Sequence, residues 1–206
     1  MNKRIQISAG IGALALSLVV ISAGVSFAGE PAAAPAAPAA GGSVPDQSAA
    51  QADGFLGGAL AVPDALKPPA GNVLSSVFKA RGVQIYGCTD GKWTLVEPAA
   101  ALTGITLKPI KKVTALHFRG PSWESDEDGS LVEGTAPVSA PSANPNSIPQ
   151  LLVTAKTNRG DGVFGSVSFI QRLATVGGVA PTTTCAAGDT SAVPYRAVYR
   201  FFTPQA

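Results

Sequence analysis

The sequence predicts an all-β domain, an antiparallel β-sandwich or barrel of about eight strands with one disulfide. Three observations predict it. β-Branched and aromatic residues recur in short runs punctuated by Gly, Pro, Asn and Asp. No stretch of the domain carries a helical period of useful length, and there are no crossover helices of the kind a parallel sheet requires. The domain is expected over residues 60–206, long enough for one core that buries about two-thirds of the unfolded surface.

What precedes it reads differently. Residues 1–28 have the form of an export signal: Lys3 and Arg4, an apolar run over 11–21, and a Ser26-Phe27-Ala28 end suited to cleavage. The run is short and no basic stop-transfer patch follows, so cleavage is expected and no stable membrane anchor. Residues 29–59 read as a disordered Ala/Pro-rich tether, because 30–53 hold no large apolar residue but Val44. The chain is therefore expected to be exported, to a periplasm, the cell surface or the medium.

Removing Lys3 and Arg4 leaves 13 of the 15 basic residues against 13 acidic ones. A neutral mature chain gives no electrostatic case for nucleic acid or anionic membrane, both of which are bound through clustered Lys and Arg. Cys88 and Cys185 are the only cysteines. In an oxidising compartment they are expected to pair, in preference to two free thiols or a metal pair. Closing so long a loop is worth roughly 4 to 5 kcal/mol on the chain-entropy estimate.

The strands follow in order. The run 83–86 alternates, Asp90-Gly91 supplies a tight turn, and 93–96 returns as the clearest hairpin, closed by Pro98 and its alanines. A short strand at 105–107 precedes Pro109. The next, 113–119, sets Leu116 and Phe118 on one face and Val113, Ala115 and His117 on the other. Gly120-Pro121 ends it, and Asp128-Gly129 turns the chain into 130–134. Residues 137–149 read as a polyproline-like surface loop. A strand at 151–156, a turn at 158–162 and a long strand at 163–175 with a bulge at Gly165 come next. The last strand, 193–202, aligns Tyr195, Ala197, Tyr199 and Phe201 on one face.

In this order the segments GVQIYGC, Trp93, H-x-x-GPSW from His117, DGS-x-V-x-G, IPQLL, IQRLATVGGVAP-x-x-x-C and VPYRAVYRFF resemble a family of exported bacterial and fungal proteins known as domain of unknown function number 3455. The resemblance spans 62–202. It implies an exported single domain with paired cysteines and carries no catalytic residues across. Some fungal members bear a dehydrogenase label, which these residues do not support. Gly160-Asp161-Gly162-Val163-Phe164-Gly165 spells G-x-G-x-x-G, yet a β-branched strand follows where a dinucleotide site needs a helix.

The chemistry is bounded by a single histidine. A Ser-His-Asp hydrolase would need His117, and Gly120-Pro121-Ser122-Trp123-Glu124 lacks the last glycine of a nucleophile elbow. Metal sites built on several imidazoles are excluded by count, and no cofactor is expected. What remains is His117 with Trp123, Glu124, Asp126 and Asp128 close by, Glu127 among them. An imidazole oriented by a carboxylate is a workable acid–base pair, and the acids fall short of a calcium loop for want of the late bidentate glutamate. The plainer reading is a buried His117 bonded to backbone beside a solvated acidic turn. Trp123 is expected on a loop, stacking on a sugar or capping a barrel end. Trp93 is expected in the core, and Tyr86, Tyr195 and Tyr199 in packing. Any of Arg172, Arg196 and Arg200 that faces inward needs an acid, with Glu124 or Asp126 as candidates.

The leading expectation is a binding or envelope-associated module, with an unknown small molecule or envelope glycan as partner and its site around residues 117–130. The alternatives are an acid–base hydrolase or isomerase using His117, and a structural surface protein without a site.

Overall fold

The structure, a computed structural model, describes residues 47–135 and 137–205. The expected export signal and the tether up to residue 46 lie outside the described residues. Among the described residues one α-helix and a short 3-10 turn at Asp64–Leu66 precede nine strands: β1 (Asn72–Thr89), β2 (Lys92–Leu107), β3 (Ile110–Phe118), β4 (Ser122–Ser125), β5 (Leu131–Gly134), β6 (Val138–Ala140), β7 (Gln150–Arg159), β8 (Phe169–Gly177) and β9 (Thr190–Pro204). Neighbours pair in the order β5-β4-β3-β2-β1-β9-β8-β7-β6, every pair antiparallel. A further pairing of β5 with β7, from Leu131↔Arg159 to Gly134↔Ala155, closes the ring. The fold is thus a closed barrel rather than a sandwich, and closure leaves few unpaired edges.

Alternation along the strands fills the barrel. Inward positions carry Phe78 and Ala80 on β1, Ala100 and Leu102 on β2, and Val113 and Ala115 on β3, joined by Val132, Val153 and Ile170 and by the inward row of β9. The expected division of β3 holds: Leu116 stands outside, half exposed.

Pro98 does not close the first hairpin. β1 and β2 pair from Thr89↔Lys92 through to Ser76↔Thr106, so the run at 105–107 belongs to β2. Pairing of β2 with β3 begins at Ala100, so at Pro98 the strand has a neighbour on one side only, where a residue without an N–H is tolerated. Two other segments also differ from expectation. Residues 163–166 form a turn, with β8 beginning at Phe169, and the proline-rich stretch 137–149 contributes β6.

The end of the expected tether is ordered as well. Residues Gln47–Leu56 form the helix α1, whose Ala52, Phe55 and Leu56 pack on Val77, Leu107 and Phe202 outside the barrel. The apolar anchors are Phe55 and Leu56, just beyond the Ala/Pro-rich run. Farther on, Leu66 is buried against Leu152 and Leu173, fixing the chain to the outer wall.

Candidate functional site

Three of the sequence-predicted site residues lie apart from the other two. Strand β4 turns Trp123 inward, so it sits on a strand and not on a loop, 1 % exposed beside His117 at 3 %. Their rings stack with centroids 4.5 Å apart and planes 3° from parallel. By the same alternation Glu124 faces outward, opposite the exposed Leu116. Asp126, Glu127 and Asp128 occupy the exposed turn after β4. The structure therefore brings His117 and Trp123 together and does not bring the acids to them.

The acidic turn is structural. Asp128 accepts from the Ser130 N–H at 3.0 Å, the Ser130 O–H at 2.6 Å and the Val163 N–H at 3.0 Å. Burial acts to raise its carboxyl, but these hydrogen bonds outweigh it and hold the group below the usual carboxylate range. Ser130 in turn accepts from the Phe164 N–H at 2.9 Å. The turn thus clamps the 160–165 loop and delivers the Phe164 ring to the interior, 4.6 Å from Phe201 and 5.8 Å from Phe78. Gly162, at φ 120°, lies against the Asp128 carboxylate, where a side chain has no room. A cavity of about 390 Å³ opens beside this clamp, lined by Lys108, Lys111, Asp128, Val73 and Val113 among others.

The opposite end of the interior is polar. The inward row of β9 runs from Phe201 through Tyr199 and Ala197 to Tyr195, and aromatic contacts connect it to Trp123 and His117. His117 Nδ1 lies 2.8 Å from the Ser122 carbonyl. A carbonyl only accepts, so Nδ1 carries the proton and Nε2 is left as an acceptor. Burial drives the imidazole pKa down to about 3, against the opposing Ser122 carbonyl and with help from the Arg172 charge. His117 is thus neutral across the physiological range.

Arg172 lies directly opposite Tyr199 across β8 and β9. Two residues from the buried Ile170, it shares that residue's inward face. Its Nε and Nη2 donate to the Pro149 carbonyl at 3.2 and 3.0 Å. Among the described residues no carboxylate forms an ion pair with it. Glu124 and Asp126, its expected partners, stand on the outer surface. The Tyr195 and Tyr199 hydroxyls are 3.4 Å apart, and Tyr86 donates to the Gly178 carbonyl at 2.7 Å. Burial raises all three phenols, so they stay protonated. Gln84, buried at this end beside Gly178, leaves its Nε2 without a partner, as does Trp123 with its indole Nε1.

Sequence reasoning treated Arg172 as a residue in want of an acid and passed over Gln84. The signal was present in the segments that carry the family resemblance. GVQIYGC, H-x-x-GPSW, IQRLATVGGVAP and VPYRAVYRFF each place polar or aromatic side chains at this same end of the interior. Trp93, expected in the core, is instead half-buried near the hairpin tip and donates to the Thr183 carbonyl at 3.0 Å. Nearby Cys88 and Cys185 form a disulfide with Cα atoms 5.8 Å apart. It fastens the β1–β2 tip to the loop before β9.

Among the described residues no cluster of His, Cys, Asp and Glu is arranged to hold a metal, and no helix is long and apolar enough to cross a membrane. Fold and interior together define a disulfide-linked closed β-barrel with one apolar and one polar end. The family model described as protein of unknown function (DUF3455) matches residues 69–203, and the chain belongs to that family. No curated protein and no solved structure matches it.

Proposed function

We propose that the domain is an exported binding module, working at or beyond the cell envelope, whose ligand is a small molecule or an envelope glycan received at the polar end of the barrel. The observation that carries this reading is the imbalance there. Among the described residues Arg172 faces inward without a carboxylate partner, and the buried Gln84 Nε2 and Trp123 Nε1 have no acceptor. A buried donor left unpaired costs about 1 to 3 kcal/mol, a cost without return in a barrel that is only structural. The Cys88–Cys185 disulfide supports export. Acid–base catalysis has less behind it. His117 is buried and neutral with Nδ1 engaged by Ser122, and the acids of the 124–128 segment face away.

A thermal-shift screen of envelope glycans and small metabolites tests the reading, run on the full chain with its disulfide intact and on Gln84→Met and Arg172→Gln. At least one compound is expected to stabilise the wild type and to bind at least tenfold more weakly to both variants. A screen without binders, or binders indifferent to both substitutions, contradicts it.

A further inference from the structure

We infer that the group recognised at the polar end is an oxyanion, a carboxylate, sulfate or phosphate, gripped by Arg172. The inference rests on the binding-module reading and adds the chemistry of the ligand. Its first support is charge. An inward guanidinium ordinarily has an acid to neutralise it, and here its protein acceptors are neutral, the carbonyl of Pro149 and the hydroxyl of Tyr199. These two take part of the fork, and the remaining N–H groups match an oxyanion, a stronger acceptor than a neutral carbonyl or hydroxyl. Its second support is the count of donors around that cation. The Tyr195 hydroxyl lies 3.4 Å from that of Tyr199, which also accepts from Arg172, and the Nε2 of Gln84 and the indole Nε1 of Trp123 have no partner although these residues are 2 % and 1 % exposed. His117 Nε2 is the lone imidazole acceptor among them. A neutral glycan offers hydroxyls that both donate and accept, whereas a surplus of donors about a cation selects a ligand that only accepts.

The cavity beside Asp128 makes the contrast. Both oxygens of its carboxylate are hydrogen-bonded, and Lys111 has Glu127 at 3.9 Å. The charge that remains there, Lys108, stands exposed to solvent, unlike the inward guanidinium of Arg172.

The test titrates the full, disulfide-intact chain with sodium acetate, sulfate and phosphate against chloride at matched ionic strength, following thermal stability. Oligosaccharides bearing uronate or phosphate groups form a second arm that separates a free anion from one carried on an envelope polymer. A saturable rise in Tm is expected with at least one oxyanion. Arg172→Lys, which keeps the charge and loses the fork, should weaken it at least tenfold, and Arg172→Gln should abolish it. The pair Lys108→Gln and Lys111→Gln, at the other end, should leave it unchanged. Arg172→Lys also serves if Arg172→Gln does not fold. Absence of saturable stabilisation in the wild type, equal response in Arg172→Lys, or loss in the lysine variants overturns the inference. If uncharged compounds bind through Gln84 while no oxyanion does, the binding-module reading stands and the oxyanion falls; if nothing binds, both fall.

Discussion

Phe201 and Tyr199 are two residues apart on β9 and face the same interior, yet they belong to ends of the barrel held together on different terms. Around Phe201 the rings of Phe78 and Phe164 pack at centroid distances of 5.4 and 4.6 Å. The Asp128–Ser130 clamp seals them in with hydrogen bonds that are satisfied; the buried Ser76 hydroxyl, without a partner, is the exception. Around Tyr199 lie a guanidinium, two further phenols, an imidazole, an indole and an amide, of which the indole Nε1 and the amide Nε2 have no acceptor, and a disulfide ties the adjoining loop. The apolar end needs nothing further to account for its composition. On the proposed reading a ligand completes the polar end, and stability and function are accordingly expected to separate along the barrel.

Substitutions sharpen that contrast. The largest effect belongs to the covalent tie at the polar end: Cys88→Ala with Cys185→Ala should cost about 4 to 5 kcal/mol in urea unfolding, the closed loop having a sequence separation of 97. Protonation of His117 comes close to it. Because the folded imidazole is held at about 3 and the unfolded one titrates at 6.5, the unfolded chain binds the extra proton first. Stability present above pH 6.5 is therefore lost as pH falls toward 3, on the order of 4 kcal/mol in all. His117→Gln should flatten the Tm–pH profile across that window, and an unchanged slope would place the titrating group elsewhere. At the apolar end Phe201→Ala should cost roughly 3 to 5 kcal/mol as a cavity without changing ligand response. The smallest effect is the most telling. Gln84→Met removes a buried amide that has no partner, so stability should change by less than about 1 kcal/mol while binding at the polar end is lost. A loss of stability like that of Phe201→Ala would make Gln84 an ordinary core residue.

Much of the fold was legible because strand alternation is local. The inward set Tyr195, Ala197, Tyr199 and Phe201, the face shared by Val113, Ala115 and His117, and the Asp90-Gly91 turn all follow from period two and turn chemistry. Ring closure was not legible, since the β5–β7 pairing joins residues whose proximity no local pattern records. Pro98 misled because its tolerance depends on β3 beginning its pairing at Ala100. The helix Gln47–Leu56 was missed because its stability comes from packing on Val77 and Phe202 rather than from its own periodicity. For the site, sequence proximity grouped His117 with the acids, whereas alternation on β4 sends Trp123 in and Glu124 out. Arg172 comes near His117 only through the curvature of the barrel, and Gln84 joins that end from β1 beside Gly178.

The most direct test follows the two indole N–H resonances in a ¹H–¹⁵N spectrum while a carboxylate is titrated in. Trp93 and Trp123 are the only tryptophans, one bonded to Thr183 and the other stacked on His117 at the polar end. The account predicts a saturable displacement of the Trp123 signal with that of Trp93 unmoved. Trp123 unmoved throughout, or both signals drifting together in proportion to salt, would contradict it.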